Sequence, residues 1–147
     1  ENNLNDVIIL NIELLKKLDS DIKIKFNHEN LVNFKFDYDQ LSRVCFNLIK
    51  NSIESIKEKA KKTSNFVKNI DIVISEHIDY ISLTIEDAGI GFENIKTSDL
   101  TKPYFTTKKN GTGLGLSIVS KIINDHNGMI SFFNLDSGAK IEIKFFK

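Results

Sequence analysis

An α+β fold, a two-layer sandwich with helices packed on one face of a mixed sheet, follows from three features of the sequence. Short runs alternate apolar with polar residues, as half-buried strands do. Three longer runs repeat apolar residues every three or four positions, as helices do. No repeat, low-complexity tract or linker separates them, so strands and helices must share one core.

The elements follow in order. Residues 6 to 18 place Val7, Leu10, Leu14, Leu15 and Leu18 at helical spacing. Ile22, Ile24 and Phe26 alternate with lysines as a strand. Phe34, Phe36 and Tyr38 alternate with Lys35 and Asp37 as a short second strand. Asp39 is a good N-cap for a long helix running to about Ala60. Ile70, Ile72 and Ile74, then Ile81, Leu83 and Ile85, form two further alternating runs. Glycine, threonine and lysine dominate from residue 89 to 113, which predicts a long loop. A helix follows from about Leu114 to His126 and stops at Asn127 and Gly128. Two closing strands, 129 to 134 and 140 to 146, are joined by the turn Asp136-Ser137-Gly138.

A chain of 147 residues is one ordinary domain. Its 41% hydrophobic and 27% charged residues are values of a folded chain, not a disordered one. Acidic and basic residues balance at 20 each, which argues against a general nucleic-acid or membrane-surface binder. The apolar run Val7-Ile8-Ile9-Leu10 is too short to span a bilayer, and no basic segment precedes it as in a signal peptide. The single cysteine, Cys45, lies among apolar residues and is expected to be a buried, reduced thiol. The expectation is therefore a cytoplasmic domain, whether of a soluble or a membrane-bound protein.

Four patches carry the chemistry. On the long helix, Arg43, Asn47, Lys50, Asn51, Glu54 and Glu58 share a stripe between two apolar flanks. A solvated face would use Glu or Lys there, since Asn is a poor helix former. An Asn carbonyl is a hard oxygen ligand suited to Mg²⁺ on a nucleotide. Asp87 shares parity with Ile81, Leu83 and Ile85, so the strand aims it at the apolar face. A carboxylate there needs donors, and adenine offers its exocyclic amine. Gly89 and Gly91 follow, allowing positive φ and close approach of a flat ring. Phe105, Thr106, Thr107 and Lys108 lie in the loop. Gly111-Thr112-Gly113-Leu114-Gly115-Leu116 opens the next helix. It has neither the spacing of a dinucleotide fingerprint nor the lysine of a P-loop, but its backbone N–H groups at a helix N-terminus suit phosphate. The histidines read as structural, with His126 suited as a cation to the end of its helix. His28-Glu29 is only a faint phosphoacceptor pattern between two strands.

In order and spacing these patches resemble the N, G1, F and G2 boxes of the catalytic, ATP-binding domain of sensor histidine kinases, in the GHKL ATPase superfamily with its Bergerat fold. The Lys102-Pro103-Tyr104 approach to the F box and the short lid are most similar to nitrogen-regulation-type sensor kinases. The resemblance implies one catalytic domain over residues 1–147 with an ATP lid at about 92–110. It implies ATP and Mg²⁺ as cofactors, Asn51 as the metal ligand, and Asn47 and Lys50 near the phosphates. It implies that Asp87, Gly89 and Gly91 shape the base pocket. Thr106, Thr107, Lys108, Gly111, Thr112, Gly113, Leu114 and Gly115 would embrace the phosphates.

Hydrolysing relatives such as MutL and gyrase B carry a general-base Glu where this chain has Asn47, which favours phosphotransfer. No helical hairpin bears a His followed by an acid, so the implied partners are a dimerisation and phosphoacceptor domain preceding Glu1 and a response regulator. No residue in this chain is expected to be catalytic by itself. The alternatives are a serine kinase of the anti-sigma type, a mitochondrial-type dehydrogenase kinase, or a non-catalytic nucleotide-binding module.

Overall fold

The computed structural model describes residues 1–28, 30–92, 97–103 and 115–147. Strands β1 (Asn2–Asn3), β2 (Lys23–Asn27), β3 (Asn33–Phe34), β4 (Asn69–Glu76), β5 (Tyr80–Asp87), β6 (Gly128–Leu135) and β7 (Gly138–Phe146) alternate with helices α1 (Leu4–Leu15), α2 (Tyr38–Ala60) and α3 (Gly115–Asp125). Five strands form one mixed sheet in the order β2-β4-β5-β7-β6, with β2 parallel to β4 and the other neighbours antiparallel. The short β1 and β3 pair separately. Helix α2 packs against α1, α3 and β5, so the core lies between one sheet face and the helices, as expected of the two-layer sandwich.

Three sequence expectations are corrected. Helix α1 begins at Leu4, not Asp6, because Asn3 caps it: its Oδ1 accepts from the N–H groups of Asn5 (2.8 Å) and Asp6 (3.3 Å). The helix ends at Leu15. The expected apolar residues Leu10, Leu14 and Leu18 are exposed, while Leu4, Val7, Ile8, Asn11 and Leu15 face the core. Asn11 can be buried because its amide donates to the Val7 carbonyl at 2.8 Å and to Ser42 at 3.0 Å.

The second correction concerns the expected strand at 34 to 38, which is only Asn33–Phe34. Beyond it the Phe36 carbonyl accepts from Asn2 Nδ2 at 2.8 Å, and the chain turns into α2. The third concerns the cap of α2, which is Asp37 and not Asp39. Asp37 has extended backbone angles (φ −80°, ψ 117°) and accepts from the Gln40 N–H at 2.9 Å, leaving Asp39 in the first turn.

The remaining elements fall where the periodicity puts them, within a residue or two. Helix α3 stops at Asn127, which takes the left-handed conformation (φ 54°) that asparagine tolerates. Cys45 is buried in the core, and burial pushes its thiol up to about 12. No helix among the described residues is long and apolar enough to cross a membrane.

Candidate functional site

Asp87 is the last residue of β5, and its parity with the buried Ile81, Leu83 and Ile85 turns its side chain inward. Only 7% of its surface is exposed. Gly89 donates its N–H to Asp87 Oδ1 at 2.9 Å. Burial raises the carboxyl's proton affinity above the ordinary aspartate value. The Gly89 N–H, the Ser52 hydroxyl, the Ala139 N–H and the Lys59 charge lower it again without cancelling the rise. Ser52 influences the carboxylate, yet its Oγ has no partner in hydrogen-bonding geometry among the described residues. It acts on the carboxylate as a neighbouring dipole.

The turn after Asp87 is wedged between α2 and the β6–β7 hairpin. A side chain on Gly89 would place its Cβ 2.1 Å from Ser55 Oγ, so glycine there lets the turn lie directly on the helix. Ile90 then donates its N–H to that same Ser55 Oγ at 3.0 Å. Gly91 needs its positive φ of 71°. Next to it, the Phe92 N–H donates to Asn134 Oδ1 at 2.7 Å. From the other side Gly138 (φ 121°) approaches so closely that a Cβ would lie 1.8 Å from the Asp87 carbonyl oxygen. Lys59 bridges from α2 to the hairpin, donating to Ser137 Oγ at 3.0 Å with its ammonium 4.7 Å from the Phe66 ring centroid.

On α2, Asn47 and Asn51 are partly buried, and Asn51 immediately precedes Ser52. Lys50 is exposed and reaches Glu54 at 4.0 Å. The stripe does not stay in the site. Glu58 lies in solvent bonded to Lys61 at 2.7 Å, and that lysine holds its carboxyl below the usual range. Gly115 opens α3, which packs on α2. Thr106, Thr107, Lys108, Gly111, Thr112, Gly113 and Leu114 lie outside the described residues, as do Phe105 and most of the expected lid. Among the candidates that are described, Asp87, Gly89 and Gly91 share one turn, and Gly89 lies against Ser55 of α2, while Asn51 is on the same helix one residue before Ser52. Ser52, Ser55, Lys59, Asn134 and Gly138 complete that junction and were not singled out by sequence reasoning. Only Gly138 had a local signal, as the glycine of a turn.

The histidines have structural partners. His126 Nδ1–H donates to the Ile122 carbonyl at 2.7 Å, and its Nε2 accepts from the Asp37 N–H at 3.0 Å. The ring thus bridges the end of α3 to the start of α2. His77 stacks on Tyr80, and His28 packs on Phe26; Glu29 lies outside the described residues. A cavity of about 740 Å³ lies at the other end of β5, lined by Phe34, Phe36, His126 and Phe145 among others. None of the candidate residues lines it.

Comparison with known proteins agrees with the fold. Residues 36–147 match the family described as histidine kinase-, DNA gyrase B-, and HSP90-like ATPase. A sensor histidine kinase named NtrY-like from Rickettsia felis is 35% identical over 137 residues, 91% of this chain and 22% of that protein. Sensor histidine kinase ZraS of Salmonella typhimurium is 32% identical over 143 residues, 95% of this chain and 29% of that protein. The chain thus spans under a third of the length of these relatives. The catalytic domain of histidine kinase ThkA is similar in structure, with a TM-score of 0.84, 27% identity, and coverage of 99% of this chain and 93% of that one. The mycobacterial sensor histidine kinase MprB shares the fold at a TM-score of 0.83 and 20% identity, covering 99% of this chain and 95% of that one. The chain belongs to the histidine kinase-, DNA gyrase B- and HSP90-like ATPase family, a membership that implies ATP binding, and the relatives it matches are sensor histidine kinases.

Proposed function

We propose that this chain is the catalytic domain of a two-component sensor histidine kinase. It binds ATP with Mg²⁺ and presents the γ-phosphate to a histidine on a dimerisation domain, from which the phosphoryl group passes to an aspartate of a response regulator. The observation that carries the reading is the buried position of Asp87, its Oδ1 accepting from the Gly89 N–H, against the asparagine-bearing part of α2. A carboxylate kept out of water at that point suits the amine of adenine.

Asn51 would hold the metal through its amide oxygen. Among the described residues no cluster of three His, Cys, Asp or Glu side chains could hold a cation. A single hard oxygen donor fits Mg²⁺, which keeps waters and phosphates as its other ligands. Bound there, the ion would neutralise charge on the transferring phosphates. Asn47 cannot take a proton from water at neutral pH, which favours transfer over hydrolysis. Phosphoryl transfer needs a nucleophile held in line, and on this reading the partner domain brings it.

Incubation with γ-labelled ATP tests the proposal. Alone, the chain remains unlabelled and releases only traces of phosphate. With the parent protein's dimerisation domain added, that domain gains an acid-labile, alkali-stable label, and Asn51→Ala in this chain abolishes it. Robust labelling of this chain by itself, at His28 for instance, would overturn the reading.

A further inference from the structure

The two edges of the main sheet are built differently. On β2 the exposed positions are Lys23, Lys25 and Asn27, and lysines in such a row keep a sheet edge from pairing with another chain. The other edge is β6, eight residues long, with no charged residue and no proline. Ile130 and Phe132 pack toward the core, so the alternate positions face outward. Of these, Met129, Phe133 and Leu135 are 51%, 45% and 38% exposed. Among the described residues no strand pairs with the free side of β6. The Asn127 carbonyl accepts from the Phe146 N–H at 3.0 Å, which sets the alternation along the β6–β7 ladder. Met129, Ser131 and Phe133 therefore direct their backbone groups to β7, and Gly128, Ile130, Phe132 and Asn134 turn theirs to the free side. An uncharged, apolar edge with a row of open backbone groups is a template for another strand. A cavity of about 370 Å³ beside Ile130, Ser131 and Phe132, walled by Ser98, Thr101 and Ser120, leaves room there.

We infer that β6 is a self-association edge whose partner is β6 of a second copy of this chain, paired antiparallel about a two-fold axis. The strand is its own complement. Open backbone groups must meet open backbone groups, and centring the pair on Ser131 uses all four residues: Ile130 meets the second copy's Phe132, and Gly128 meets its Asn134. On the outward face each Met129 then lies against the second copy's Phe133, in the closer kind of cross-strand pair, a favourable sulfur–aromatic contact. No like charges come to lie opposite one another, as the lysines of two paired β2 edges would. Pairing of one patch with itself closes at two copies. β5, which carries Asp87, lies two strands in from this edge, so the inference stands apart from the ATP reading.

Analytical sedimentation of the chain as it stands, over a range of concentrations, tests this. The mass should rise from 16.8 kDa toward twice that value. Ser131→Lys sets two lysines against each other at the axis and should hold the protein at the monomer mass. Thr84→Lys puts the same charge on the outward face of the central β5 and should leave association unchanged. Oxidation of Ser131→Cys should link two copies covalently, since that cross-strand position brings the two Cα atoms within disulfide reach. Cys45 is buried and takes no part. Wild type that stays monomeric at every concentration would overturn the inference, whatever the variants do. A dimer that forms equally well in Ser131→Lys, or one that Ser131→Cys does not cross-link, would overturn the pairing through β6.

Discussion

At Asp87, removal of a carboxylate from water outweighs the donors and the lysine charge that surround it, so the folded protein holds that proton more tightly than the unfolded chain does. The sign of the consequence follows from linkage. A carboxyl with a raised folded-state value contributes its stability in full below the unfolded value of about 3.9, and loses it as pH rises through the folded one. Asp87→Asn keeps the shape and an acceptor oxygen but cannot ionise. Its melting temperature should gain on wild type as pH rises from about 4 toward neutrality. A difference between the two proteins that stays constant across that range would contradict the burial argument. Asp87 was legible in the sequence because strand parity is local: counting by two from Ile81 reaches it. Ser52, Ser55, Asn134 and Gly138 were not, because each acquires its role from a distant segment. Asn134 matters only because the β6–β7 hairpin sets it against the Phe92 N–H. Gly89 was expected to allow positive φ and the approach of a flat ring; its φ is not positive, and the close approach that requires glycine is the one to Ser55.

Among the elements, the sheet strands were read well and the helix ends less so. In α1 the run Ile8-Ile9-Leu10-Asn11-Ile12 is apolar on almost every side, so periodicity could not choose a face. The true face includes Asn5 and Asn11, whose burial depends on partners at Asn30, Val32 and Ser42. The start of α2 shows a similar ambiguity, with two aspartates two residues apart. Only Asp37 has the extended backbone that lets a side chain reach back to a helical N–H. Asp37→Ala should therefore lower stability by about 1 kcal/mol, or roughly 2–4 °C in melting temperature for a domain of this size. Asp39→Ala removes only a favourable charge in the first turn and should cost a few tenths of that. Thermal melts of the two variants compare the assignments directly; a larger loss for Asp39→Ala would contradict the cap seen here. The extra bond from the Asp37 N–H to His126 ties this end of α2 to the end of α3.

For the molecule as a whole, a mixed sheet and a helical layer were implied by the clustered periodicities. The order β2-β4-β5-β7-β6 was not, because pairing between strands far apart in the chain leaves no mark in local spacing. That order gives the architecture its use. β5 lies at the centre of the sheet with α2 packed against it, so the end of β5 delivers Asp87 against the middle of α2. The β6–β7 hairpin, next in the sheet, closes the far side of the turn through Asn134 and Gly138. The four boxes were legible as motifs, but only two of them, on α2 and at the end of β5, lie within the described residues.

If Asp87 anchors ATP in this junction, calorimetric titration of Mg·ATP separates wild type from Asp87→Ala. Wild type should bind one equivalent saturably. Asp87→Ala should remain folded and bind roughly ten- to hundredfold more weakly, the loss of one charge-assisted acceptor. Equal affinity in the two proteins, or no binding of ATP by wild type, would contradict the account.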